Sequence, residues 1–134
     1  MKKTIENRDD LTLLVRSFYD KIRTDKEIGF FFNETITNWD EHLEKLTDFW
    51  EMNLFGTKKY KGNPIAVHNK VDKLFNHRIS PNEFGIWLNL WFETLDQLFE
   101  GENVEILKRR ARKMSTFLYL SMFLRLYDST LSKL

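Results

Sequence analysis

Apolar residues recur along this chain every third or fourth position, and short polar stretches separate the runs; that period predicts a succession of helices. Leu11, Leu14, Val15, Phe18 and Ile22 make one stripe, with Asp9 and Asp10 ahead of it as candidate caps. Tyr19, four residues after Val15 and three before Ile22, falls on the same face. Asp25 and Lys26 break the pattern, and Glu27 to Asn33 reads as a short helical turn. Its Phe30, Phe31 and Phe32 cannot all point inward from one helix face, so at least one covers a second surface. A longer helix opens at Asn38, where Glu41 completes a capping-box spacing, and Gly56 ends it. Trp39, Leu43, Leu46, Phe49, Trp50 and Leu54 are its apolar positions, and His42 stands among them.

Thr57 to Asn63 is a polar connector. Pro64 suits the first turn of a new short helix, in which His68, Val71 and Phe75 share one face. Asn76, His77 and Arg78 form a polar break. Ser80, Pro81 and Glu83 then combine a cap, a first-turn proline and a capping box. Phe84, Trp87, Leu88, Trp91, Leu95 and Leu98 follow as a regular stripe, ended by Gly101. The last helix begins near Asn103 and is apolar nearly all round from Phe117 to Leu126, which suits a central or a partner-facing helix.

This pattern, with only two Pro and five Gly, predicts an all-α fold in a single domain spanning 1–134, with a flexible stretch at 1–8. The charges nearly cancel, 21 basic against 20 acidic, so no strong field points to nucleic acid or to a membrane. The two lysines at the start lead into an acidic, polar run rather than an apolar core, and no apolar run approaches the roughly 18 residues a membrane span needs. A cytoplasmic location is expected. With no cysteine, disulfides, thiolate zinc, iron–sulfur clusters and cysteine nucleophiles are all excluded.

The remaining chemistry is narrow. Only His42, His68 and His77 are available as imidazoles, there is no HExxH motif, and the glycines are isolated rather than gathered into a phosphate loop. No serine sits in a GxSxG context. The run Lys108, Arg109, Arg110, Arg112 and Lys113 reads as a solvated helix face, with contact to an anionic partner or to haem propionates as the alternative. Haem remains open because one histidine suffices as its axial ligand and an apolar slot does the rest. Twelve Phe and four Trp are more flat rings than a helical core of this size requires, which points to a flat guest.

Several segments, in order over about residues 10 to 125, resemble the group III truncated haemoglobins of bacteria. They are Phe18-Tyr19 with Asp25 and Lys26, Trp39-Asp40-Glu41-His42, Phe49-Trp50, the stretch from Gly62-Asn63-Pro64 to His68, and Ile86-Trp87-Leu88. The absence of any Gly-Gly pair agrees with this group. The resemblance implies a shortened globin, a two-over-two helical sandwich around a pocket for haem b, iron protoporphyrin IX. It implies His68 as the iron ligand, Tyr19 and Trp87 on the distal face, and His42 as the distal-side histidine, with Leu46 one turn beyond it. Phe31 or Phe32, with Phe32 preferred, would stack near the porphyrin, and Trp50, Val71 and Phe75 would complete its surroundings. His77 is the alternative ligand; His68 is preferred because it shares a helical face with Val71 and Phe75, whereas His77 falls in the polar break.

O2 held at ferrous haem carries a partly negative outer atom, so a Tyr19 O–H and a Trp87 N–H would each hold it by about 1.5–3 kcal/mol. Two such bonds slow release on the order of a hundredfold or more, which favours retention and chemistry over delivery. The same donors would serve NO or CO binding, oxidation of nitric oxide, or peroxide reduction with electrons from an unidentified reductase. The expectation of a different class is a haem-free helical module that docks a partner through Phe117 to Leu126.

Overall fold

The computed structural model describes residues 1–62 and 80–131, with side chains described as far as residue 120. The described helices are α1 (Arg8–Thr24), α2 (Gly29–Asn33), α3 (Trp39–Phe55), α4 (Pro81–Leu98) and α5 (Glu102–Leu131). His68, Val71, Phe75 and His77 lie outside the described residues.

Asn7 caps α1: its side chain accepts from the Asp10 backbone N–H at 3.1 Å. Asp9 and Asp10, the candidates in the sequence, instead occupy the first turn, where carboxylates suit the positive end of the helix. The Asp10 carboxylate turns back to accept from the Glu6 N–H at 2.8 Å and to pair with Lys3 at 2.9 Å. Ile5 is buried, Asn103 donates to its carbonyl at 2.7 Å, and Glu100 donates its N–H to the Lys3 carbonyl at 3.0 Å. The stretch expected to be flexible therefore carries a set of contacts across to the start of α5.

The short helix α2 begins at Gly29, two residues later than its predicted start. The Asp25 carboxylate accepts from the N–H groups of Glu27 and Ile28, at 2.8 and 3.1 Å, and holds those residues in a turn. Gly29 packs so tightly on the end of α1 that a Cβ there would lie 2.9 Å from the Arg23 carbonyl oxygen. Asn38 caps α3 by accepting from Glu41 N–H at 3.2 Å, and Gly56 ends it in the left-handed region at φ 74°. The capping box at Ser80 and Glu83 is present: the Glu83 carboxylate accepts from the Ser80 N–H at 2.8 Å.

Helix α1 packs on α3 and α4 on α5, while α1–α4 and α3–α5 contacts join the two pairs. This is the two-over-two, all-helical arrangement expected from the sequence. Leu11, Leu14, Val15, Phe18 and Ile22 bury the inner face of α1 against Trp50, Trp91, Leu95 and Leu107. Each such side chain contributes about 1.5–3 kcal/mol through removal from water. At the centre, Trp91 stacks on Trp50 at 4.5 Å and donates its indole N–H to the Leu107 carbonyl at 3.3 Å.

One polar seam complements this core. Arg8, at the start of α1, pairs with Glu44, Asp48 and Glu51 of α3 at 2.7, 2.7 and 3.3 Å. Glu51 is 4% exposed and also meets Lys59 of the following connector at 2.9 Å. The hydrogen bond from Lys59 holds the Glu51 carboxyl below its usual range, with help from Arg8 and against the effect of burial. Among the described residues, no helix is long and apolar enough to cross a membrane.

Candidate functional site

The residues that face away from the tryptophan core enclose a cavity of about 150 Å³. Tyr19 of α1, Phe31 and Phe32 of α2, His42 and Leu46 of α3, Phe84 and Trp87 of α4, and Ser115 and Leu118 of α5 all contribute to its wall. All five described helices thus meet at one opening.

Local sequence explains why these side chains converge. Tyr19 follows Phe18 on α1, so Phe18 enters the core while its neighbour reaches the edge of the same face. The two rings meet edge to face at 4.8 Å. Trp87 precedes Trp91 by one helical turn and therefore lies above it, rings 5.9 Å apart and inclined by only 12°. His42 and Leu46 are likewise one turn apart on α3. Phe31 is buried and Phe32 half-buried, and both reach the cavity; Phe30 packs on Phe31 at 4.0 Å.

Tyr19 is only 5% exposed, and burial pushes its hydroxyl well above the ordinary tyrosine range. A hydrogen bond with the Trp87 side chain acts in the opposite sense, and because an indole N–H can only donate, the phenolic oxygen is its acceptor. Tyr19 therefore keeps its proton at any physiological pH, and that proton remains available for donation. The His42 ring stands 6.2 Å from the Tyr19 ring, nearly perpendicular to it, and shares the polar part of this wall with Thr35, Glu83 and Ser115. Such an arrangement offers directed hydrogens inside an apolar surround, where hydrogen bonds are stronger than in water.

The structure brings five of the sequence-predicted residues, Tyr19, Phe32, His42, Leu46 and Trp87, to one cavity. Trp50 is not on that wall; it is buried beneath, stacked under Trp87 at 6.5 Å. Sequence reading missed the contribution of α5, namely Met114, Ser115 and Leu118, and that of Ile28, Thr35 and Ile36. Ser115 was concealed because a lone serine in a helix is ordinarily a solvent-facing residue; its place one turn after Ala111 on a buried face was the available signal. Farther along α5, Phe117 is 56% exposed, whereas the adjacent Leu118 is buried at the cavity. Within the basic run, Lys108 pairs with Asp96 at 2.7 Å and Arg112 lies over the Phe92 ring at 4.9 Å. Among the described residues no three His, Asp or Glu side chains gather in a way that could hold a metal ion.

No family profile matches the chain. It is 31% identical over 121 residues to the group 3 truncated hemoglobin ctb of Campylobacter jejuni, an alignment that spans 87% of this chain and 91% of that protein. Its fold superposes on the crystal structure of a group III truncated hemoglobin from Campylobacter jejuni with a TM-score of 0.81. That match covers 91% of this chain and 95% of the other, at 29% identity. With this sequence identity over nearly the whole length, and with the same helical sandwich, the chain belongs to the group III truncated haemoglobins, a family of haem-binding globins.

Proposed function

We propose that the chain is a single-domain globin that binds haem b through His68 and holds a small diatomic gas, O2, NO or CO, against Tyr19 and Trp87, for chemistry on that gas or its removal rather than for delivery. The observation that carries this reading is the pairing of the buried Tyr19 hydroxyl with the half-buried Trp87 indole on the wall of a mostly apolar cavity. The chemistry of that wall fits haem: a porphyrin face needs broad apolar contact, which Phe31, Phe32, Phe84, Leu46 and Leu118 supply. Haem, if bound, would supply an iron able to take up a diatomic gas.

Tyr19 and Trp87 then do the holding. Each donates one hydrogen, and neither needs to lose a proton to do so. Their positions are preset by rings packed behind them, Phe18 and Trp91, so little ordering accompanies the capture. Phe32 and Leu46 keep water from the donors, and His42 stands at the side of Tyr19 as a third polar group. Val71 and Phe75 accompany His68 on its own segment in this reading. Two donors acting together favour slow release, which suits conversion of the gas with electrons from a reductase.

The test is the visible spectrum of the protein produced with haem available. A Soret band in the wild type that changes in His68→Ala is expected; no band, or one unaltered by that substitution, overturns the ligand assignment. Single-turnover mixing of the O2-equilibrated ferrous protein with nitric oxide separates conversion from simple binding. Stoichiometric nitrate is expected, and displacement without nitrate would count against gas chemistry of that kind.

A further inference from the structure

Beyond Tyr19 and Trp87, one more aromatic residue is built into the site. Trp39, the first residue of α3, does not line the cavity, yet its ring stands 6.0 Å from that of Tyr19 and 5.8 Å from that of His42. With Tyr19 and His42 themselves 6.2 Å apart, the three rings form a nearly equilateral triangle. Trp39 meets His42 edge to face, at 86°. It is therefore the common neighbour behind two polar groups of the cavity wall.

Trp39 is itself clamped from outside. The Arg23 guanidinium lies 4.3 Å above its ring, a cation–π distance. Arg23 Nε donates to Asn33 Oδ1 at 3.2 Å, and Asn33 Nδ2 donates back to the Arg23 carbonyl at 2.9 Å. This exchange fixes the guanidinium plane and ties the last turn of α1 to the end of α2. Ends of three helices, α1, α2 and α3, are joined at one point on the flank of the site. An exposed arginine with no such role would lose side-chain freedom here for little return.

We propose that Trp39, held by Arg23, is a positioning residue that sets the orientation of both Tyr19 and His42 and so governs how fast a diatomic gas enters and leaves. This rests on the haem-globin reading for its kinetic consequence, but the ring geometry stands independently of it. Trp39 reaches the guest only through its two neighbours. Removing the ring leaves Tyr19 and His42 chemically intact, and leaves Phe18 behind Tyr19, but takes away the ring that contacts both and sets their angle to each other. Loss of the arginine alone relaxes the clamp and keeps every ring.

The experiment uses the purified full chain in the ferrous CO form, which is diamagnetic, and compares wild type, Trp39→Leu, Trp39→Phe and Arg23→Gln. Two quantities are read: the His42 ring-proton resonance, assigned by its loss in His42→Gln, and the CO association and release rates after flash photolysis. Trp39→Leu is expected to move the His42 resonance through loss of the ring current and to change at least one rate about tenfold. Trp39→Phe should restore most of both. Arg23→Gln should change a rate by about two- to fivefold, the size of an exposed cation–π contact. An unmoved His42 resonance and unchanged rates in Trp39→Leu would overturn the proposal. If Trp39→Leu does not fold, Arg23→Gln decides it: wild-type rates and resonance there would overturn it. Should wild type take up no haem, the haem-globin reading fails, while the His42 resonance of the chain as purified still decides whether Trp39 positions that ring.

Discussion

Trp87 and Trp91 share one helix, one orientation and nearly parallel rings 5.9 Å apart, yet they serve two different regions of the molecule. Trp91 is fully buried, stacked on Trp50, and its N–H is committed to the Leu107 backbone carbonyl. Trp87 is half-buried, one turn closer to the cavity, and its N–H meets a hydroxyl on a neighbouring side chain. A hydroxyl can rotate toward a guest, whereas a helix carbonyl cannot. The difference between the two regions thus lies in the partner of the indole N–H rather than in the indole. An N–H tied to backbone stabilises the fold, and an N–H tied to another donor at a cavity wall is available to ligand.

That contrast is breakable. The largest effect is expected from Trp91→Ala, which empties the centre of the core and should cost about 3–5 kcal/mol of stability by urea denaturation. A cost under about 1 kcal/mol would show that Trp91 is not the keystone assigned to it. Trp87→Phe should leave stability within about 1 kcal/mol of wild type while O2 release becomes about tenfold faster or more, measured by stopped flow. If Trp87→Phe instead unfolds the protein and Trp91→Phe alters gas release, the two roles are reversed.

A smaller effect concerns the polar seam at the start of α1. The Glu51 carboxyl is held below its unfolded value, so its contribution is complete above the unfolded value and is lost as pH falls through the folded one. Glu51→Gln should therefore lower stability by about 1–2 kcal/mol near neutral pH and flatten the acid limb of the stability curve. A variant whose acid limb matches wild type would remove Glu51 from that role. The smallest effect is a null one. Because burial raises the Tyr19 hydroxyl, gas release should show no tyrosine titration between pH 6 and about 9.5, and a step in that range absent from Tyr19→Phe would contradict it.

Much of this arrangement was legible in the chain because it depends on spacing. The stripe from Leu11 to Ile22, the stop at Gly56 and the cap at Ser80 each follow from local rules, and the helices formed where those rules place them. Spacing placed Tyr19, His42, Leu46 and Trp87 on apolar faces, and the resemblance to the group III truncated haemoglobins is what singled them out as cavity residues. What escaped notice depends on tertiary packing. Asn7 displaced Asp9 and Asp10 as the cap because Asp10 is needed to anchor Glu6 and Lys3, a partnership across the N-terminus that no helical period encodes. Trp50 and Trp87 both sit on apolar stripes, and only tertiary packing decides which reaches the cavity and which is stacked beneath. Ser115 joined the wall for the same reason, through the packing of α5 beside the other helices.

The paired-donor site is tested most directly by O2 release from four proteins: wild type, Tyr19→Phe, Trp87→Phe and the double variant. Release should accelerate about tenfold or more in each single variant, and by clearly less than the product of the two in the double, because the two donors contact one another as well as the guest. Release rates in all four within about twofold of wild type would contradict the assignment of Tyr19 and Trp87 as the groups that hold the gas.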